Sequence, residues 1–168
     1  MPRPHIWSSK NCSKCARIVL MIYLGADHRG FELKELLKKR LVDEGFEVTD
    51  LGNDHLDPAD DYVDFAQKVA EAVDEMPDNR GIILCGSGVG VDIVANKIDG
   101  VRSALVSDVA RAKQVREHED ANIISLPADT LDAETAFEIV KVFLQTSFSG
   151  EERHVRRLKK LQEIEKTN

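Results

Sequence analysis

The chain is short of cysteine, of positive charge and of long apolar runs, and each shortage removes a class of protein. Three cysteines in 168 residues, Cys12, Cys15 and Cys85, do not suggest the disulfide framework of a small secreted domain, and a reducing cytoplasm is the simpler home. Lysine and arginine number 23 against 30 aspartates and glutamates, a net charge of −7. Nucleic acid is therefore not expected as a main partner, and an anionic ligand must be met by local basic groups. No apolar run is long enough to span a membrane, and the first twenty residues lack the apolar core of a secretory signal. Internal repeats and low-complexity segments are missing too. What remains, 42% hydrophobic and 32% charged residues, has the composition and length of one compact domain.

The opening stands apart. Residues 1–17 read as a loose polar extension with two prolines and the only tryptophan, Trp7, and Met21 is an alternative start. Cys12-x-x-Cys15 has the spacing of half a zinc site, but no second pair follows and no metal is expected. Residues 18–168 read as a single domain in which short β-rich runs alternate with helical stretches. Strands are expected over 18–25, 46–51, 81–85, 101–106 and 122–126. Helices are expected over 31–44, with Leu33, Leu36, Leu37, Leu41 and Val42 inward, and over 62–76, with Phe65, Val69, Ala72 and Val73 inward. Further helices follow over 91–98, 108–117 and 132–146. A last one, over 151–166, carries only a thin stripe of Val155, Leu158, Leu161 and Ile164. Alternation of this kind predicts an α/β, three-layer Rossmann-like fold: a five-stranded parallel sheet, helices on both faces, and a C-terminal helix left for a subunit interface.

Ligands of open parallel sheets bind beyond the carboxyl ends of the strands. That rule selects the Asp27-His28 turn, the stretch Cys85-Gly86-Ser87-Gly88-Val89-Gly90 and the segment after strand four. Cys85 ends an apolar strand and meets glycines and a helix start, surroundings that favour a thiolate at the mouth of the site. It reads as a catalytic base, and the loop as the holder of the negative charge that the base creates. The glycine spacing is not that of a dinucleotide fingerprint and suits a small oxyanion or one phosphate. Ser87 either touches a substrate oxygen or caps the helix, and Asp27 either caps or binds. His28 is placed to donate to an anion or to shuttle a proton. His118 is read as lying on the same active edge, or as answering a helix dipole. Arg153 and Arg157, four apart, form either a phosphate clamp or a solvated face. His5 and His55 read as solvated.

Together the segments Gly25-Ala26-Asp27-His28-Arg29-Gly30-Phe31-Glu32-Leu33-Lys34, Asp61-Tyr62-Val63-Asp64-Phe65-Ala66, Cys85 to Gly90 and Ala95-Asn96-Lys97 resemble the ribose-5-phosphate isomerase type B family. The allose- and galactose-6-phosphate isomerases belong to it as well. The resemblance implies an aldose–ketose isomerase of phosphorylated sugars, ribose 5-phosphate foremost, that uses no cofactor. It implies that Cys85 moves the proton between C1 and C2, that Gly86 to Gly90 stabilise an enediolate, and that His118 helps to open the sugar ring. Asp27 and His28 would contact substrate, and Arg153 and Arg157 would hold its phosphate. The site would be shared between the subunits of a homodimer or tetramer, with His118 and the arginines coming from the partner chain. A branch that uses a glutamate just after the loop is disfavoured by Val91. Two positions depart from the pattern: Glu119 follows His118, and Asp129 stands where a further arginine is expected. Both place negative charge near the expected phosphate end.

Overall fold

The computed structural model describes residues 20–167; the extension, Cys12, Cys15 and the start of the first expected strand lie outside the described residues. Five strands and six helices alternate. They are β1 (Met21–Ala26), α1 (Phe31–Asp43), β2 (Glu47–Asp50), α2 (Tyr62–Asp74), β3 (Arg80–Cys85), α3 (Val89–Ala95), β4 (Ser103–Leu105), α4 (Val109–Glu119), β5 (Ile123–Pro127), α5 (Ala133–Gln145) and α6 (Glu152–Glu165). The sheet order is β2-β1-β3-β5-β4, and every pairing is parallel. The chain steps outward from β1 to β2 and then crosses back to β3. The switch point therefore lies between the carboxyl ends of β1 and β3, where Ala26 pairs with Leu84.

The two central strands are apolar on both sides because both sides are covered. Ile82, Leu84, Ile124 and Leu126 pack with Leu37, Leu41 and Phe143 on the face of α1 and α5, and Ile83, Cys85 and Ile123 pack with Val69 and Val91 on the face of α2 and α3. Each fully buried side chain of this size contributes about 1.5–3 kcal/mol. Among the described residues no helix is long and apolar enough to cross a membrane.

Helix α1 corrects the expected inward stripe. Leu33, Leu37 and Leu41 face the sheet, but Leu36 and Val42 are 50% and 55% exposed, and Lys34 is wholly buried. The i, i+4 row is narrow, so its flanks stay wet, and Lys34 is held by groups distant in sequence. Its Nζ donates to Asp50 Oδ2 and to the Asn53 carbonyl, each at 2.7 Å, and lies 2.9 Å from Glu35 Oε1. Burial alone would push the Asp50 carboxyl up. Hydrogen bonds from Lys34, Lys38 and the Gly52 N–H outweigh it and hold the group below its usual range. In α2, Phe65, Val69 and Val73 are buried as expected, whereas Ala72 is only half-buried.

The last helix is the least covered. Near its start, His154 is buried between His118 and Phe148, with ring centroids 4.4 and 6.5 Å away, and its Nδ1 lies 2.8 Å from Ser149 Oγ. Near its end, Glu165 Oε1 accepts the Gly100 N–H at 3.2 Å. Leu161 and Ile164 of the thin stripe remain 44% and 57% exposed.

Candidate active site

Strand β3 ends in Cys85, and its alternation turns the sulfur toward α2 and α3. Cys85 as a whole is 6% exposed, so it lies beneath the loop rather than at its mouth; the inward register of the last strand residue is the reason. The loop closes over it. Gly88 donates its N–H to Cys85 Sγ at 3.1 Å. Gly88 has φ +74, where a side chain is strained, and a Cβ there would stand 2.5 Å from Leu105 Cδ1. Because Gly88 is the residue that caps α3, the helix begins at Val89, two residues before the expected start. Ser87 Oγ accepts the Val89 N–H at 3.3 Å, so its hydroxyl serves the helix start. The Cys85 and Gly86 carbonyls accept from Ala128 and Asp129, which ties the loop to the end of β5.

Beside it, across the switch point, stands the turn after β1. Asp27 is buried, and its Oδ1 accepts the N–H groups of Arg29 and Gly30, each at 3.0 Å. It thus shapes the turn ahead of α1 without capping the helix, whose own cap is Gly30. His28 is one-third exposed, and its Nδ1 lies 2.7 Å from Asp60 Oδ1. Arg29 reaches over the glycine loop to Asp129, and a Cβ on Gly86 would stand 2.5 Å from its Nε. The negative charge at Asp129 is therefore answered by Arg29. Sequence reading missed both Asp60 and this use of Arg29. The doubled Asp60-Asp61 before a helix was the available signal, since one aspartate suffices for the cap.

His118, Arg153 and Arg157 are elsewhere. The expectation that His118 lies on the active edge is corrected by strand direction. Gly81, at the start of β3, donates to the Asn122 carbonyl at 2.9 Å, so the loop between α4 and β5 sits at the amino end of the sheet. Cys85 is four residues farther along, about 13 Å at about 3.3 Å per residue. His118 stacks on His154, which brings the start of α6 to that same end. Arg153 is exposed with its Nε 2.8 Å from Glu151 Oε2, and Arg157 is exposed beside it. Glu119 is exposed there too. Asp120, left-handed at φ +46, ties this end down by accepting from Arg116 at 2.8 Å and Arg102 at 3.2 Å. Burial holds the Arg116 guanidinium below its usual range.

Within one chain the candidate residues thus fall into two groups: a thiol under a glycine loop beside Asp27 and His28, and a histidine with two arginines at the opposite end of the sheet. Known proteins share this frame. The ribose/galactose isomerase family model matches residues 22–161. A probable ribose-5-phosphate isomerase B of Mycoplasma pneumoniae is 43% identical over 140 residues, which are 83% of this chain and 91% of that protein. The ribose-5-phosphate isomerase B of Mycobacterium tuberculosis is 39% identical over 149 residues, 89% of this chain and 92% of its own. Among solved structures, the Mycoplasma genitalium ribose-5-phosphate isomerase B with bound ribulose-5-phosphate superposes with a TM-score of 0.85. It is 39% identical and covers 89% of this chain and 98% of that one. The type B enzyme of Trypanosoma cruzi gives 0.84 at 40% identity, covering 89% and 99%. With the sheet order, the loop and the match all in agreement, this chain belongs to the ribose/galactose isomerase family.

Proposed function

We propose that the protein interconverts ribose 5-phosphate and ribulose 5-phosphate, with Cys85 as the base. The thiolate takes the proton from C2 of the open-chain aldose, leaving an enediolate; the proton of the C2 hydroxyl passes to O1, and the thiol returns its proton to C1 to give the ketose. No electron acceptor is needed, because the carbonyl at C1 is reduced as the C2 hydroxyl carbon is oxidised. A positioned base supplies roughly 10²–10⁴-fold, and each well-aimed donor to the developing oxyanion adds about 3 kcal/mol. The loop Gly86 to Gly90 supplies those donors from the amides not already committed, since the Gly88 N–H is aimed at Cys85 Sγ and the Val89 N–H at Ser87 Oγ. Asp27 and His28 hold the sugar. The amino-end group, His118 with Arg153 and Arg157, belongs to the site of a second copy, where the imidazole opens the ring and the guanidiniums hold the phosphate. The working unit is accordingly a homodimer or tetramer of the domain 18–168, acting in the cytoplasm.

The observation that supports this most directly is the Gly88 N–H aimed at Cys85 Sγ at 3.1 Å. A donor there places positive dipole charge beside a sulfur that is largely shielded from water. The test is exchange. Incubated in deuterated water with ribose 5-phosphate, the protein introduces label at C2, and Cys85→Ala abolishes it while the fold persists. Label appearing only with allose 6-phosphate or galactose 6-phosphate would reassign the sugar. Label with none of the three would favour a non-catalytic phosphosugar-binding subunit.

A further inference from the structure

The loop 52–61 is acidic, yet the Asp60 side chain in it is only 4% exposed. Its two oxygens have separate tasks. Oδ1 accepts the His28 backbone N–H at 3.0 Å and lies 2.7 Å from His28 Nδ1, and Oδ2 accepts from Asn53 Nδ2 at 3.0 Å. Asn53 is itself anchored, since its carbonyl accepts from the buried Lys34 ammonium at 2.7 Å. The carboxylate is thus braced from the core. Capping of α2 does not require it, because Asp61 accepts the Val63 N–H at 3.0 Å.

A carboxylate only accepts, so the ring proton between the pair resides on Nδ1, and Nε2 is the nitrogen directed away from Asp60. We propose that Asp60 is a positioning residue for the isomerisation: it locks the His28 ring with Nδ1–H inward and Nε2 turned to the sugar phosphate. The proposal rests on His28 being a substrate contact. In the neutral ring Nε2 accepts a sugar hydroxyl proton, and in the charged ring it donates to an anionic oxygen. Either way the ring plane is set before substrate arrives, which saves its ordering at the moment of binding. Carboxylates that orient a metal-bound histidine matter by about 10–100-fold when removed, and the same orienting task sets the expected scale for the His28 ring.

The test pairs spectroscopy with a mutant cycle. In histidine-¹⁵N-labelled protein without sugar, the neutral His28 ring gives an Nδ1–H signal and an unprotonated Nε2 signal, and Asp60→Asn shifts both toward a tautomer mixture. The same substitution lowers kcat/KM about 10–100-fold. In a His28→Ala background it costs nothing further, because its effect passes through the ring. An Nε2–H ring in the wild type, or an equal loss from Asp60→Asn with and without His28, overturns the proposal. Should Asp60→Asn simply fail to fold, Asn53→Ala releases the other carboxylate oxygen and must move the same ring signals. A wild-type chain inactive toward every sugar phosphate would sink the isomerase reading alone, and the nitrogen signals would then decide this one.

Discussion

Glycines 86 and 88 sit two residues apart in one loop, and the structure assigns them different burdens. A methyl on Gly86 meets the far end of the Arg29 side chain and Asp129, which are exposed and have room to move. On Gly88 it meets Leu105, the Leu126 backbone carbon and the Pro127 nitrogen, at a backbone conformation that L side chains rarely adopt. Gly88→Ala is therefore expected to lower stability by about 2–3 kcal/mol and to displace the N–H aimed at Cys85. Gly86→Ala is expected to cost under about 1 kcal/mol and to weaken mainly the Arg29–Asp129 bridge. Urea unfolding midpoints of the two variants check the difference. Asp50 gives a second prediction at this scale. Its folded value lies below the unfolded carboxylate's value near 3.9, so its contribution is complete above about pH 5 and is lost as pH falls through the lowered value. Asp50→Asn should flatten the acid limb of the stability profile below about pH 5. At pH 7 it should cost about 3 kcal/mol, because the buried Lys34 ammonium loses its closest carboxylate.

Helix ends carry the next level of order. Asp61 caps α2 and Asp132 caps α5, each by accepting backbone N–H groups, and Asp61→Ala should cost about 1 kcal/mol by thermal melting. Loss of that cap also loosens Asp60, so the same variant should lower turnover more than its stability change implies. Element types and order were legible from periodicity alone, because a sheet buried on both faces writes continuous apolar runs and its helices write one apolar stripe each. The start of α3 was not, since an apolar pattern cannot reveal that Gly88 adopts a positive φ. Nor was the burial of Lys34, whose partners Asp50 and Asn53 are distant in sequence. In α6 the thinness of the apolar stripe is legible in the sequence, but the burial of the His154 ring against His118 is not, because the two residues are distant in sequence.

At the scale of the molecule, strand direction separates the two halves of the candidate site. The candidate groups are picked out by local rules: a cysteine before glycines, an Asp-His turn after a strand, arginines four apart. Their division between sheet ends is not, because it depends on which way β5 runs beside β3. That division makes a sharp prediction. Cys85→Ala chains and Arg153→Ala/Arg157→Ala chains should each be inactive alone. Mixed and reassembled one to one, they should recover about a quarter of wild-type turnover, since random pairing into a two-fold dimer makes half of the assemblies hybrid with one intact site in each. A chain that builds its site alone would recover nothing.

The sheet is bounded by β2 and β4, which are only four and three residues long. So short a border leaves too few unpaired amides to seed cross-molecule ribbons, and a stray chain finds no rail along which to zip.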